Sequence, residues 1–141
     1  MKRATERVTK ALKELKKYYE VTECYVGGSR VDCREIIKQY VGSDGRLETD
    51  VKVCNKRVGK CVEFRKGDVV KVIEAEGSEV YLTKDEAEAV KAGERLGYQI
   101  TGKGEARSVR SSVAGDILYI EEVLGSKHDH YRIYIVERGK R

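Results

Sequence analysis

Three carboxylates and a lysine have the types and spacing for metal-assisted chemistry: Glu6, Asp32, Asp50 and Lys52. Metal-dependent hydrolysis of a phosphodiester needs nearby carboxylates to hold Mg²⁺ (or Mn²⁺). It also needs a cation to align the attacking water and offset the charge that develops. Between residues 46 and 54 the sequence alternates: Leu47, Thr49, Val51 and Val53 share one face, and Glu48, Asp50 and Lys52 share the other. This pattern predicts a half-buried strand with Asp50 and Lys52 projecting on its wet side. Glu6, Asp32 and Asp50 are then the candidate metal ligands, with Asp50 and Lys52 as the candidate catalytic pair. The bland reading is also open. Asp32-Cys33-Arg34-Glu35 reads as a capping box ahead of Ile36, Ile37, Tyr40 and Val41 at helical spacing. A helix at 33–41 makes Asp32 an N-cap, whereas a strand there leaves it free to join Asp50.

The elements that must position these groups predict an α+β (or α/β-like) fold. A single domain is expected, with a mixed, mostly antiparallel sheet flanked by two to three helices. Val8, Ala11, Leu12, Leu15 and Tyr19 form one face of a predicted helix over 5–19, while Lys10, Lys13 and Lys17 fall elsewhere on it. Residues 21–26 predict a strand ended by Gly27-Gly28. Residues 60–65 and 69–75 predict a hairpin around Lys66-Gly67-Asp68. Val80–Leu82 predicts a short strand. Thr83 with Glu86 starts a predicted helix running to Leu96 and stopping at Gly97. A strand at 98–101, a flexible basic loop over 102–115, and a last hairpin of 117–123 with 131–136 complete the chain. His128-Asp129-His130 reads as an exposed turn in that hairpin.

In this order the motifs resemble the PD-(D/E)xK nuclease superfamily, and within it the archaeal Holliday-junction resolvases. The resemblance rests on Glu6-Arg7-Val8, Gly28-Ser29-Arg30-Val31-Asp32, Asp50-Val51-Lys52, and the run from Val80-Tyr81-Leu82 to Leu96-Gly97-Tyr98. It spans residues 4–100. No Pro precedes Asp32, the 60–75 hairpin is extra, and residues 102–141 have no counterpart. A second register pairs Asp50 with Glu63-Phe64-Arg65 but places Arg where Lys is expected. The resemblance implies an αβββαβ core, Mg²⁺ dependence, a DNA substrate that can be branched, and a homodimer.

Charge distribution points the same way without naming a reaction. The chain has 141 residues, 38% charged and 40% hydrophobic, and a net charge of +5. This is one domain's length, with enough apolar content for a core. Residues 1–19 carry seven Lys/Arg against Glu6 and Glu14. A clustered basic surface steers polyanions more than net charge does. Lys10, Lys13, Lys17, Arg107 and Arg110 are the candidate phosphate contacts. Nine tyrosines can include a stacking platform for unpaired bases. The alternative to a nuclease is therefore a non-catalytic, sequence-nonspecific single-stranded nucleic-acid binder, and a third reading is a protein-interaction subunit.

The charged start and the short apolar runs predict neither a secretory signal nor a membrane span, so the expected location is cytoplasmic. The charge-rich, Pro-free composition resembles that of proteins from heat-loving archaea. Cys24 with Cys33, and Cys54 with Cys61, each flank a turn symmetrically. Either pair can close as a disulfide or stand as buried thiols. Neither spacing suits a zinc site.

Overall fold

The computed structural model describes residues 21–125 and 127–138. The predicted helix at 5–19 lies outside them, with Glu6, Lys10, Lys13 and Lys17.

The fold is mostly β, not α+β with two to three helices. Among the described residues there are eleven strands and one seven-residue helix. The strands are β1 (Thr22–Val26), β2 (Ser29–Val31), β3 (Val51–Asn55), β4 (Lys60–Phe64), β5 (Val70–Gly77), β6 (Glu79–Leu82), β7 (Ala89–Val90), β8 (Arg95–Ile100), β9 (Ala106–Arg110), β10 (Gly115–Glu122) and β11 (Asp129–Glu137). The helix, α1, is Cys33–Gln39, between β2 and β3. Sheet I has the order β2-β1-β3-β4, sheet II β5-β11-β10-β7 and sheet III β6-β8-β9. Every strand pairing is antiparallel.

Sheet II is the middle layer. Leu118, Tyr134 and Val136 join one core with Val53, Phe64 and Ile36 of sheet I and α1. Ile117, Ile133 and Ile135 join a second core with Leu96 and Val109 of sheet III. Residues 133–136 are consequently buried without a break, Ile-Tyr-Ile-Val. A strand covered on both faces needs apolar residues at successive positions rather than alternate ones. The register shift in β10 between Ile117 and Tyr119 sets Ile117 opposite Ile135 and Tyr119 opposite Tyr134, with Leu118 directed to the other core.

Three predicted elements are corrected. The helix at 83–96 is absent. The Thr83–Glu86 pair does not cap: the Thr83 N–H donates to the Leu96 carbonyl at 2.9 Å and Glu86 Oε2 accepts the Ile120 N–H at 2.8 Å, while two turns form instead, closed by the Asp85 N–H on Glu88 Oε1 at 2.8 Å and the Lys91 N–H on Glu94 Oε1 at 2.9 Å. Between them Val90 enters the second core as part of β7, so tertiary burial overrides helix propensity. Residues 60–65 and 69–75 do not pair with each other. β4 pairs with β3, and β5 crosses to β11. Within the expected loop at 102–115, residues 106–110 form β9, paired with β8. The last hairpin forms as predicted from its apolar runs, but Asp129 and His130 belong to β11 opposite Gly77 and Glu76.

Two disulfides staple sheet I. Cys24 of β1 joins Cys33 at the start of α1, and Cys54 joins Cys61 directly across β3 and β4.

Ile135 is fully buried in the second core. Ile135→Ala should cost about 2–5 kcal/mol, through lost transfer energy and the cavity left behind. Val72→Ala on exposed β5 surface should stay within about 0.5 kcal/mol. Urea unfolding of both variants checks the contrast. Reduction of both disulfides should lower stability by about 2 kcal/mol or more, since each closes a short loop in the unfolded chain; thermal unfolding with and without a phosphine reductant measures it.

Candidate nucleic-acid interface

Of the carboxylates picked out by sequence, Glu6 lies outside the described residues, and Asp32 and Asp50 line different clefts. Asp32 is the N-cap of α1, accepting the Arg34 N–H at 3.0 Å and pairing with its guanidinium at 3.3 Å. Those two donors hold its carboxyl below the ordinary carboxylate range, the backbone N–H being the larger cause. Asp50, just before β3, accepts the Lys66 N–H at 2.8 Å and lines a cleft with Lys52, Tyr25, Glu63 and Arg65. Asp32 lines a different cleft, against Tyr119 and Arg57. Among the described residues no group of three His, Cys, Asp or Glu side chains stands close enough to hold a metal ion.

His128 and His130 face β5 and are held by its carboxylates. His128 Nε2 lies 2.6 Å from Glu76 Oε1, and His130 Nε2 lies 3.1 Å from Glu74 Oε1. Arg132 also pairs with Glu74, at 3.0 Å, and the two pull the Glu74 carboxyl below its usual range, Arg132 first. This is a cross-strand charge ladder of the kind that fixes register.

A better assembled surface lies on sheet III. Val80, Leu82 and Val109 turn inward to the second core. The alternate positions therefore face out. Tyr81 of β6 stands opposite Tyr98 of β8, which stands opposite Ser108 of β9. Tyr81 is 55% exposed, the most open of the tyrosines in the described residues. The Arg95 guanidinium sits 4.7 Å from the centre of the Tyr98 ring and donates to Ser108 Oγ at 3.1 Å. Arg110, opposite Arg95 in the register, donates to the Gly93 carbonyl at 3.0 Å. Glu79 supplies the opposing charge. It accepts the Tyr81 hydroxyl at 2.8 Å and raises that phenol above its ordinary value. Arg107 lies near the start of β9, 3.5 Å from Glu105, beside the exposed turn that carries Lys103.

The closeness of β6 and β8 depends on Gly97. A Cβ there would lie 2.1 Å from the Tyr81 carbonyl oxygen. Any side chain would push β6 off β8 and separate the two tyrosines. Sequence reading had found Tyr81, Tyr98 and Arg110 singly, but not Arg95 or the row. The signal was there: Val80-Tyr81-Leu82 and Arg107-Ser108-Val109-Arg110 both alternate. The helix predicted across 83–96 separated them and hid Arg95.

A family model described as "Uncharacterized protein conserved in archaea (DUF2118)" matches residues 3–138. The chain belongs to the DUF2118 family. That description names no nuclease, so the resolvase resemblance rests on its quoted residues alone. No curated protein matches the chain. The breadth of the match places all three sheets inside the DUF2118 unit, and the archaeal distribution agrees with the charge-rich composition.

Asp32 acts as a cap, so Asp32→Ala should cost the protein about 1 kcal/mol through the lost bond to the Arg34 N–H. Asp32→Asn should recover most of that, because the amide oxygen still accepts. Chemical denaturation of the pair distinguishes capping from a need for the charge.

Proposed function

We propose that this protein binds single-stranded nucleic acid, without catalysis and without sequence preference, on the outer face of sheet III. The observation that carries the reading is the row Tyr81–Tyr98–Ser108 with Arg95 stacked on Tyr98. Unpaired bases stack on aromatic rings at about 1–3 kcal/mol per base, whatever the base. Arginines beside those rings add phosphate contacts and cation–π attraction. A sheet face is rigid, so two rings on adjacent strands are presented together before any ligand arrives. That lowers the ordering cost of binding.

Helix α1 at 33–39 favours this reading over the nuclease one, because it commits Asp32 to capping. Lys103, in the turn before β9, and Arg110 would extend the path for the backbone along β9, whereas Arg107 shares the face of Val109 and lies off that path. Glu79 would set a limit on affinity, since its carboxylate faces the same side as the tyrosines.

Tyr98→Ala should weaken binding to labelled oligo-dT and oligo-U by roughly 5- to 100-fold, and Tyr81→Ala by a similar factor. Arg110→Ala should weaken it less and make the affinity fall less steeply with salt, by about one phosphate contact. Fluorescence anisotropy at two salt concentrations reads both effects. Equal affinity of Tyr98→Ala and wild type would reject the site. Mg²⁺-dependent cutting of DNA that is lost in Asp50→Asn would replace this reading with the nuclease.

A further inference from the structure

The two disulfides of sheet I stand in different surroundings. Cys24 is buried in the core shared with sheet II, and Cys33 packs against that core. The second bond is placed by strand alternation. Val51, Val53 and Asn55 of β3 are buried, so Lys52 and Cys54 face the other way. Val62 and Phe64 of β4 are buried, so Cys61 and Glu63 face out with them. The Cys54–Cys61 bond therefore lies on the outer face of sheet I, with Cys61 exposed and Cys54 half-buried. Cys54 also lines the cleft of about 780 Å³ that holds Asp50, Lys52 and Arg65.

The surroundings distinguish the two sulfurs. A thiolate attacks one sulfur of a disulfide in line with the bond, from the side opposite the sulfur that leaves. For Cys61 that approach comes from beyond β4, which is the edge strand of sheet I. For Cys54 it comes from β1, where Glu23 is the register partner. Glu23 is an anion: the Tyr25 hydroxyl and then Lys56 hold its carboxyl down to about 2. A carboxylate repels an incoming thiolate, so the open approach is the one to Cys61. Cys54 is then the leaving group. Lys52 lies two residues before it on the same exposed face. A nearby ammonium favours the thiolate over the thiol and so speeds its departure.

From this placement we infer that Cys54–Cys61 is a site of reversible thiol–disulfide exchange with a soluble dithiol, while Cys24–Cys33 is a closed staple. The dithiol's thiolate bonds to Cys61 Sγ, and the bond to Cys54 breaks with its electron pair going to Cys54 Sγ. The second thiol of the reagent then attacks its own sulfur in the mixed disulfide and releases Cys61. The protein gains two electrons and two protons, and the dithiol leaves as a cyclic disulfide. The fold does not hang on this bond. β3 and β4 are paired along their length, and Val53, Val62 and Phe64 sit in the core. The 55–60 turn keeps its own anchors, from the Asn55 side chain to the Glu86 carbonyl at 2.8 Å and from Arg57 to Asp85 at 2.7 Å. This inference stands apart from the sheet III reading and does not require it.

The test exposes the folded, air-oxidised full chain to dithiothreitol without denaturant. Samples are quenched with acid, alkylated and mapped by peptide mass spectrometry. Cys54 and Cys61 should open at least about tenfold faster than Cys24 and Cys33. With 2-mercaptoethanol, a monothiol, the trapped adduct should sit on Cys61. Lys52→Glu, a change on the exposed face, should slow opening of Cys54–Cys61 several-fold and leave the rate at Cys24–Cys33 unchanged, with circular dichroism confirming the fold. Equal rates at the two bonds, faster opening of Cys24–Cys33, opening only once the chain unfolds, or an adduct on Cys54 would each overturn the inference. So would a wild-type rate in folded Lys52→Glu. The wild-type rates and the adduct decide the matter without the variant.

Discussion

Burial of sheet II on both faces is the constraint on which the rest of the structure depends. β10 and β11 must satisfy two cores at once, so their side chains are shared out residue by residue. Leu118 and Tyr134 serve sheet I, and Ile117 and Ile135 serve sheet III. Antiparallel sheets commonly keep one face in water. Here neither face is free near the middle of β11, and the outer sheets become the surfaces available for binding. Sheet III presents the tyrosine row. The polar inventory fits this layering: among the described residues, no buried side-chain nitrogen or oxygen lacks a hydrogen-bond partner.

The 83–88 turn shows how the layers are locked together. It connects sheet III to sheet II, yet Asn55 of sheet I reaches its backbone, and Ile117 and Ile120 of sheet II bond to it on the other side. Three sheets thus meet at one short turn. That explains why Ala87 is tolerated there at φ 67°. It also explains why a sequence rich in helix formers does not form a helix: residues 83–88 are claimed by bonds from strands distant in the sequence. Local preference is worth a few tenths of a kcal/mol per residue, while a lost buried hydrogen bond costs about 1–3 kcal/mol.

What could be read from the sequence divides along the same line. The β10–β11 hairpin was legible because two apolar runs straddle a glycine-containing turn. The strand around Val51 and Val53 was legible because it alternates. α1 was legible as an alternative, through the capping box at Asp32. The crossing of β5 from the neighbourhood of β4 to β11 was not legible. Lys66-Gly67-Asp68 looks like a hairpin turn, and only the burial of both faces of β11 decides which partner β5 takes. The candidate site suffered for the same reason. Tyr81, Tyr98 and Arg95 are close only through antiparallel pairings across the segment misread as a helix. Asp32 and Asp50 look close in chain order but fall on different clefts.

The sheet III face also carries a physical argument about how its two tyrosines differ. Tyr98 is engaged by Arg95 at both its ring and its hydroxyl, and is partly covered. Tyr81 is the more open ring, and its hydroxyl donates to an anion, Glu79, where that of Tyr98 accepts from a cation. A base arriving at Tyr81 meets an open aromatic surface near a carboxylate. A base arriving at Tyr98 must share the ring with, or displace, a guanidinium that can turn to a phosphate. On the proposed reading, the first position would select for stacking alone, and the second would couple stacking to charge. Binding at Tyr98 should accordingly depend on salt more than binding at Tyr81, because only there does the aromatic contact carry a cation with it.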